Sequence, residues 1–199
     1  MSFILWLGAA VIGYCCGAIP FCLLIGLKRH GIDIRKHGSG NVGATNLWRT
    51  CGFRSGLLGF FCDMGKGLLP TLLFKAAGGE FLGLTAGIAA VVGHIFPVSI
   101  GARGGKGVAT MAGVLLVLAP HTFLYSFFVF LIVGPLATRT ISGGSLAAAA
   151  LLPFVSFTND STLVASVCTL ISLLVIYRHR ENIRRLYNGT ERKIWEGRK

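Results

Sequence analysis

Long apolar runs, broken by short stretches that are polar, basic or rich in glycine, set the pattern of this chain. A bilayer's hydrocarbon core is about 30 Å thick and takes roughly 20 helical residues to cross. On that measure the runs predict spanning helices near 3–27, 56–78, 81–99, 107–120, 122–138, 141–158 and 161–177, several of them short once their flanks are trimmed. The stretch 107–138 reads either as one long helix or as two short ones turning at Ala119-Pro120-His121. The first run lacks a basic leader, is too long for a signal-peptide core and stops at Lys28-Arg29, so it is expected to be a first spanning helix and not a cleaved leader.

Charge fixes the expected orientation. With seven spans and the N-terminus outside, the inside segments 28–55, 101–106, 139–140 and 178–199 hold 17 of the 19 basic residues. Lys66 and Lys75 fall within the second span, while Glu80 and Asp160 fall outside. Six spans would carry Arg139 and the basic tail to the outer face, against the positive-inside rule. The expected fold is therefore an all-α integral membrane protein of about seven transmembrane helices, N-terminus outside and C-terminus cytoplasmic, with 1–199 as a single domain. Gly83, Gly87, Ala90 and Gly93, and the alanines of 147–150, supply small faces for close helix packing. There is no tandem repeat of fixed period and no low-complexity linker.

Composition agrees. Of 199 residues, 53% are hydrophobic and 13% charged, and the mean hydropathy of +0.71 is that of a membrane protein. The net charge of +12 would suggest nucleic acid in a soluble domain. Here the apolar content assigns it to cytoplasmic loops, anionic headgroups and phosphorylated substrates, and no nucleic-acid partner is expected. Of the six cysteines, Cys51 lies in a basic loop and the rest in apolar runs; none has zinc or redox spacing, and they read as small apolar fillers.

Four polar clusters interrupt the apolar pattern, each costly at a membrane and so a candidate for function. In Gly38-Ser39-Gly40-Asn41-Val42-Gly43-Ala44-Thr45-Asn46, followed by Arg49, glycines let backbone N–H groups approach an anion. Ser, Thr and Asn add donors, and Arg49 adds a planar fork. This reads as a phosphate cradle. The letters also satisfy G-x-G-x-x-G, but no strand precedes them, so a dinucleotide site is excluded. In Asp63-Met64-Gly65-Lys66-Gly67, Asp63 and Lys66 share a helix face; they either serve a site or anchor the helix as an ion pair. The third cluster joins Gly93-His94-Ile95-Phe96-Pro97 to Arg103-Gly104-Gly105-Lys106-Gly107-Val108-Ala109-Thr110. Its Gly104-Gly105-Lys106 offers N–H groups and a cation to an anion at a helix start. It is no Walker motif, since Ile100 and Gly107 stand where Gly and Ser or Thr are needed. His94 is a site residue or a buried histidine bonded to backbone. The fourth, Arg178-His179-Arg180-Glu181-Asn182-Ile183-Arg184-Arg185, sets His179 and Asn182 three apart on a helix within a basic tail suited to anionic lipid.

No H-E-x-x-H or Cys/His cluster supports a metal, none is expected as cofactor, and Ser39 lacks the G-x-S-x-G setting of a hydrolase.

Taken together and in this order, the four clusters resemble the bacterial acyl-phosphate:glycerol-3-phosphate acyltransferase family, over about the whole chain. The resemblance implies transfer of a fatty acyl group from acyl phosphate to the 1-hydroxyl of glycerol 3-phosphate, giving lysophosphatidate and phosphate. This is the first acylation of phospholipid synthesis, at the cytoplasmic face of the bacterial inner membrane. It implies membrane lipids as surroundings, no cofactor and no obligatory protein partner. It assigns Ser39, Arg49, Lys106, His179 and Asn182 to glycerol 3-phosphate, and Gly40, Asn41, Gly43, Thr45 and Asn46 to the phosphate of the donor. Gly104 and Gly105 join the phosphate-binding set. Within Arg139-Thr140-Ile141-Ser142-Gly143-Gly144-Ser145, Ser142 and Ser145 are placed to reach that phosphate. The match is looser at Ser99-Ile100-Gly101-Ala102, where bulkier residues are usual, which touches the wall of the acyl groove. The acyl-CoA type of enzyme carries H-x-x-x-x-D, and no histidine here has Asp five positions on. A small membrane transporter for a phosphorylated solute is the alternative, although this chain shows neither related halves nor midplane polar sites.

Overall fold

The computed structural model describes residues 3–194, and every regular element among them is helical. The chain forms two compact units, Met1–Leu118 and Ala119–Lys199.

The first unit contains α1 (Phe3–Ala18), α2 (Phe21–His30), α3 (Ala44–Cys51), α4 (Phe53–Gly78), α5 (Glu80–Ile95) and α6 (Val108–Leu118). The first apolar run is thus two helices. Pro20 supplies no N–H and fixes its own φ, so the ladder stops at Ala18 and resumes at Phe21. α2 ends at Gly31, whose φ of 64° lets its N–H turn back to Gly26 and Leu27 carbonyls, with Lys28, Arg29 and His30 in the last turn of the helix. α4 has 26 residues, about 39 Å at 1.5 Å each.

Glycine brings these helices to backbone contact. A Cβ at Gly13 or Gly17 would strike the carbonyls of Ala86 or Ala90, which seats α1 along α5. A Cβ at Gly67 would strike the Thr110 carbonyl, and one at Gly113 the Met64 carbonyl, which seats α6 on α4. Without water to squeeze out, close van der Waals packing is what holds such helices together. Buried Cys22, Leu23, Ile34, Val42, Leu47 and Cys51 form a small core under the loop between α2 and α3.

The second unit contains α7 (Pro120–Leu131), a π-helical turn Ile132–Thr138, α8 (Ile141–Asn159), α9 (Thr162–Arg178) and α10 (Arg180–Tyr187). Thr140 and Ser161 cap α8 and α9 by accepting from Gly143 and Val164 N–H groups. Asp160 accepts from Thr122 at 2.6 Å and from Ser156 at 2.8 Å.

Among the described residues, five segments are long and apolar enough to cross a membrane: Phe3–His30, Phe53–Gly78, Glu80–Ile100, Pro120–Thr138 and Ile141–Asn159. A sixth is the pair Thr162–Arg178 and Arg180–Tyr187, bent by 58°. The structure divides the stretch 107–138 at Ala119, the residue preceding Pro120, whose φ of −144° is not helical. It also shortens the predicted span 107–120 to the 11 residues of α6, about 16 Å, because glycines precede it and Ala119-Pro120 ends it.

Gly113→Val should therefore force α6 off α4 and cost about 1–3 kcal/mol. In a detergent melting experiment its midpoint should fall clearly below that of Gly8→Ala, a position where a Cβ meets nothing within 4 Å.

Candidate active site

Asp33 opens the loop that precedes α3. Its carboxylate accepts from the Arg35 N–H at 3.0 Å and pairs with the Arg35 guanidinium at 2.8 Å, and these bonds pull its pKa down to about 2. The loop then turns through Gly38 and Gly40 at φ 62° and 70°, conformations that favour glycine. Asn46, only 1% exposed, holds it in shape. Its Nδ2 donates to the carbonyls of Ile34 at 2.8 Å and His37 at 3.1 Å, and its Oδ1 accepts from the Ser39 N–H at 2.9 Å. Both amide hydrogens are spent on the loop, so Asn46 has no donor left for the phosphate to which the resemblance assigned it. Gly38 is seated against the same side chain: a Cβ there would strike Asn46 Oδ1.

Asn41 donates its N–H to the Ser39 hydroxyl at 3.4 Å. Gly43 begins α3, so the first-turn N–H groups of Ala44 and Thr45 have no acceptor inside the helix. Thr45 and Arg49 are four apart and half-buried on one face, while Asn46 and Leu47 face the core.

Gly104 and Gly105 are buried, and their N–H groups donate to the carbonyls of Ile95 at 3.2 Å and His94 at 3.1 Å. Those N–H groups are the ones the sequence offered to an anion; the structure uses them to tie the loop to the end of α5. The residues are glycine for a different reason, because a Cβ at Gly104 would strike the His94 carbonyl and one at Gly105 the His94 ring. Lys106 follows, half-buried, just before α6. Val42, Ile100, Gly104 and Gly105 line one narrow, partly open cleft with Lys66 and His94, with about 10 Å³ of space inside it. The two glycine loops of the first unit thus border a common space.

In the second unit, α9 ends at Arg178 and His179 occupies the bend before α10. His179 and Asn182 do not lie on one continuous helix, as their spacing suggested; His179 sits in the break and Asn182 in the first turn of α10, and both are buried. His179 Nδ1 lies 2.8 Å from the Val175 carbonyl. A carbonyl only accepts, so Nδ1 carries the proton and Nε2 of the neutral ring is an acceptor.

Glu191, which the sequence reading passed over, organises the rest. Only 7% exposed, it accepts through Oε1 from Ser142 and from Asn182 Nδ2, each at 2.8 Å, and through Oε2 from Arg185 Nε at 2.7 Å. Burial pushes its pKa up, but the bonds from Arg185, Ser142 and Asn182 outweigh this and hold it below the ordinary glutamate value. The tail beyond it is pinned as Ile194 N–H donates to the Arg139 carbonyl at 2.8 Å. Ser145 is buried and donates to the Ile141 carbonyl of its own helix at 2.9 Å. Among the described residues no group of three His, Cys, Asp or Glu side chains is placed to hold a metal ion.

Polar side chains gathered at helix ends and loops of an apolar all-helical fold define an integral membrane protein with the makings of an enzyme. The chain belongs to the glycerol-3-phosphate acyltransferase family, whose model matches residues 7–189. It is 43% identical over 192 residues to the glycerol-3-phosphate acyltransferase of Exiguobacterium sibiricum, covering 94% of this chain and 93% of that one. With the Trichlorobacter lovleyi enzyme it is 45% identical over 193 residues, covering 95% and 96%. It superposes on the crystal structure of PlsY, an integral membrane glycerol 3-phosphate acyltransferase, in its glycerol 3-phosphate form. The TM-score is 0.89 at 39% identity, covering 95% of each chain. With the lysophosphatidic acid form the TM-score is 0.87, also at 39% identity and covering 94% of each.

Glu191→Ala should strand Ser142, Asn182 and Arg185, each hydrogen bond to a charged group contributing about 1.5–3 kcal/mol. A lowered folded-state pKa means this stabilisation is fully present above the ordinary value of about 4.3 and is lost as pH falls through the folded value. Melting midpoints measured from pH 7 down to 3 should show that loss in the natural protein and a shallower one in Glu191→Gln.

Proposed function

We propose that this protein transfers a fatty acyl group from acyl phosphate to the 1-hydroxyl of glycerol 3-phosphate, releasing lysophosphatidate and phosphate, as the first acylation of phospholipid synthesis. The observation that carries the reading is the family match over nearly the whole chain, joined to a solved relative known in glycerol 3-phosphate and lysophosphatidic acid forms. Residues 1–199 act as one catalytic domain with seven spans in the bacterial inner membrane, N-terminus outside and the reaction at the cytoplasmic face. The distribution of basic residues supports that orientation.

In the first unit, Ser39, Arg49 and Lys106 serve the glycerol 3-phosphate, two cations answering its dianionic phosphate. Gly40, Asn41, Gly43 and Thr45 serve the donor phosphate where α3 begins. Asn46 positions that loop from beneath, and Gly104 and Gly105 position Lys106. In the second unit, His179 and Asn182 orient the acceptor hydroxyl, and Ser142 and Ser145 serve the donor phosphate by turning to it the hydroxyls they otherwise donate to Glu191 and the Ile141 carbonyl.

The chemistry asks little more than placement. The hydroxyl oxygen attacks the acyl carbonyl, the bond from the acyl carbon to the phosphate oxygen breaks, and phosphate leaves as a good leaving group. Two acceptors suit the hydroxyl proton: the departing phosphate and Nε2 of His179, which the Val175 bond keeps deprotonated in the neutral ring. The donor is already activated, so no cofactor is required.

Purified protein in detergent, given palmitoyl phosphate and glycerol 3-phosphate with chelator present, should release phosphate in step with lysophosphatidate. Palmitoyl-CoA should give no product. Lys106→Ala should lower turnover by about 10²–10³-fold at unchanged melting midpoint, and Asn182→Ala should lower turnover as far in a protein that still folds, with its midpoint reduced by the lost bond to Glu191. Folded variants with unchanged rates would remove these residues from the site. Solute flux into liposomes without any acyl transfer would replace the reading with a transporter.

A further inference from the structure

Four buried side chains of the first unit have no part in the proposed reaction: Cys22 at 0% exposure, Asp63 at 2%, and Lys66 and His94 at 6% each. Asp63 stands at their centre. Its Oδ1 pairs with Lys66 Nζ at 3.0 Å and lies 3.7 Å from His94 Nδ1, while its Oδ2 accepts from Cys22 Sγ at 3.1 Å. Lys66 Nζ also donates to the Ile19 carbonyl at 2.8 Å, at the break between α1 and α2.

A pair that only anchored α4 would need Asp63 and Lys66, one turn apart on the same helix. This one reaches further, to α5 through His94 and to α2 through Cys22. On its far edge the His94 ring supports the glycine loop, because a Cβ on Gly105 would strike His94 Nε2. The next residue is Lys106. Contact therefore runs from Asp63 to the His94 ring, from the ring to Gly105, and from Gly105 to Lys106. In a close-packed interior, a side chain held at one edge transmits a displacement to what rests on the other.

We infer that Asp63 is a positioning residue for Lys106, acting through His94: the buried carboxylate, neutralised by Lys66, fixes the imidazole on which the Gly104-Gly105 loop is seated. The inference rests on the reading of Lys106 as a group that holds glycerol 3-phosphate. It assigns the cluster to acceptor binding and not to the donor.

The test uses the full chain in detergent. Asp63→Asn keeps the shape and removes the charge, leaving Lys66 buried and unpaired. Asp63→Leu with Lys66→Met removes both charges together and keeps the fold testable, since it strands no ion. His94→Gln removes the ring. KM for glycerol 3-phosphate, KM for palmitoyl phosphate, kcat and melting midpoint are measured for each. Expected is a rise of about tenfold in the glycerol 3-phosphate KM for the paired variant and for His94→Gln, with the donor KM within about twofold of the natural value. Asp63→Leu and Lys66→Met combined with His94→Gln should be no worse than His94→Gln alone, because residues acting through one another do not add. A folded paired variant with the natural acceptor KM overturns the inference. So does a fall in kcat alone, or an equal rise in both KM values. Lys106→Ala, run alongside, separates the two levels. If it keeps full turnover, the reading of the site fails. If it loses turnover while the cluster variants behave as the natural protein, only this inference fails.

Discussion

A polar group among apolar helices has no water to fall back on, so it must find its partner inside the protein. That demand shapes nearly every feature that sets this chain apart from a plain helical bundle. Lys66 answers the carbonyl of Ile19 at the break before Pro20, and Lys75 answers the Val117 carbonyl near the end of α6. Asp160 collects the hydroxyls of Thr122 and Ser156. Asn46 and Glu191 each bind three groups from their surroundings. Several of these ties join segments distant in sequence, as between Lys66 and Ile19 or Ser142 and Glu191, and removing one end of a buried tie leaves the other without its partner, which costs more than the bond itself contributes.

The ties and the glycine contacts divide the labour. Where Gly13 and Gly17 meet α5, or Gly113 meets α4, backbones touch and the helices gain a fixed spacing. Loops placed on such a frame inherit its rigidity. The turn through Gly38 and Gly40 is therefore held from below by one amide, and the Gly104-Gly105 loop by the end of α5 and the ring of His94. Binding groups on rigid supports lose little further entropy when they meet a substrate.

Much of this was legible in the sequence. The apolar runs located the long helices to within a few residues, and Asp63 and Lys66 pair as their spacing of three suggested. The polar clusters pointed to the right segments but not to the way their atoms are used. Glycine signalled close approach correctly at Gly105, yet composition cannot say whether the neighbour is an anion or a histidine ring. Asn46 reads as a donor to ligand in a donor-rich loop, and only the fold reveals that Ile34 and His37 consume it. The bend at His179 has no proline or glycine to announce it. Glu191 reads only as an acid near a basic tail, a signal too common to single it out, and its partner Ser142 is 49 residues away in the chain. Periodicity reports which face is apolar; it does not report which distant group satisfies a buried atom.

The position of Glu191 along the chain has a consequence for the making of the protein. A polypeptide emerges from its N-terminus onward, so α8, α9 and α10 are all synthesised before the carboxylate that gathers Ser142, Asn182 and Arg185. Until residue 191 has left the ribosome, those three groups lack their common acceptor. The second unit therefore matures last and all at once. A chain interrupted just short of that glutamate would carry its full set of apolar helices to the membrane, pass for an inserted protein by any test of topology, and still be unfinished where its polar groups meet.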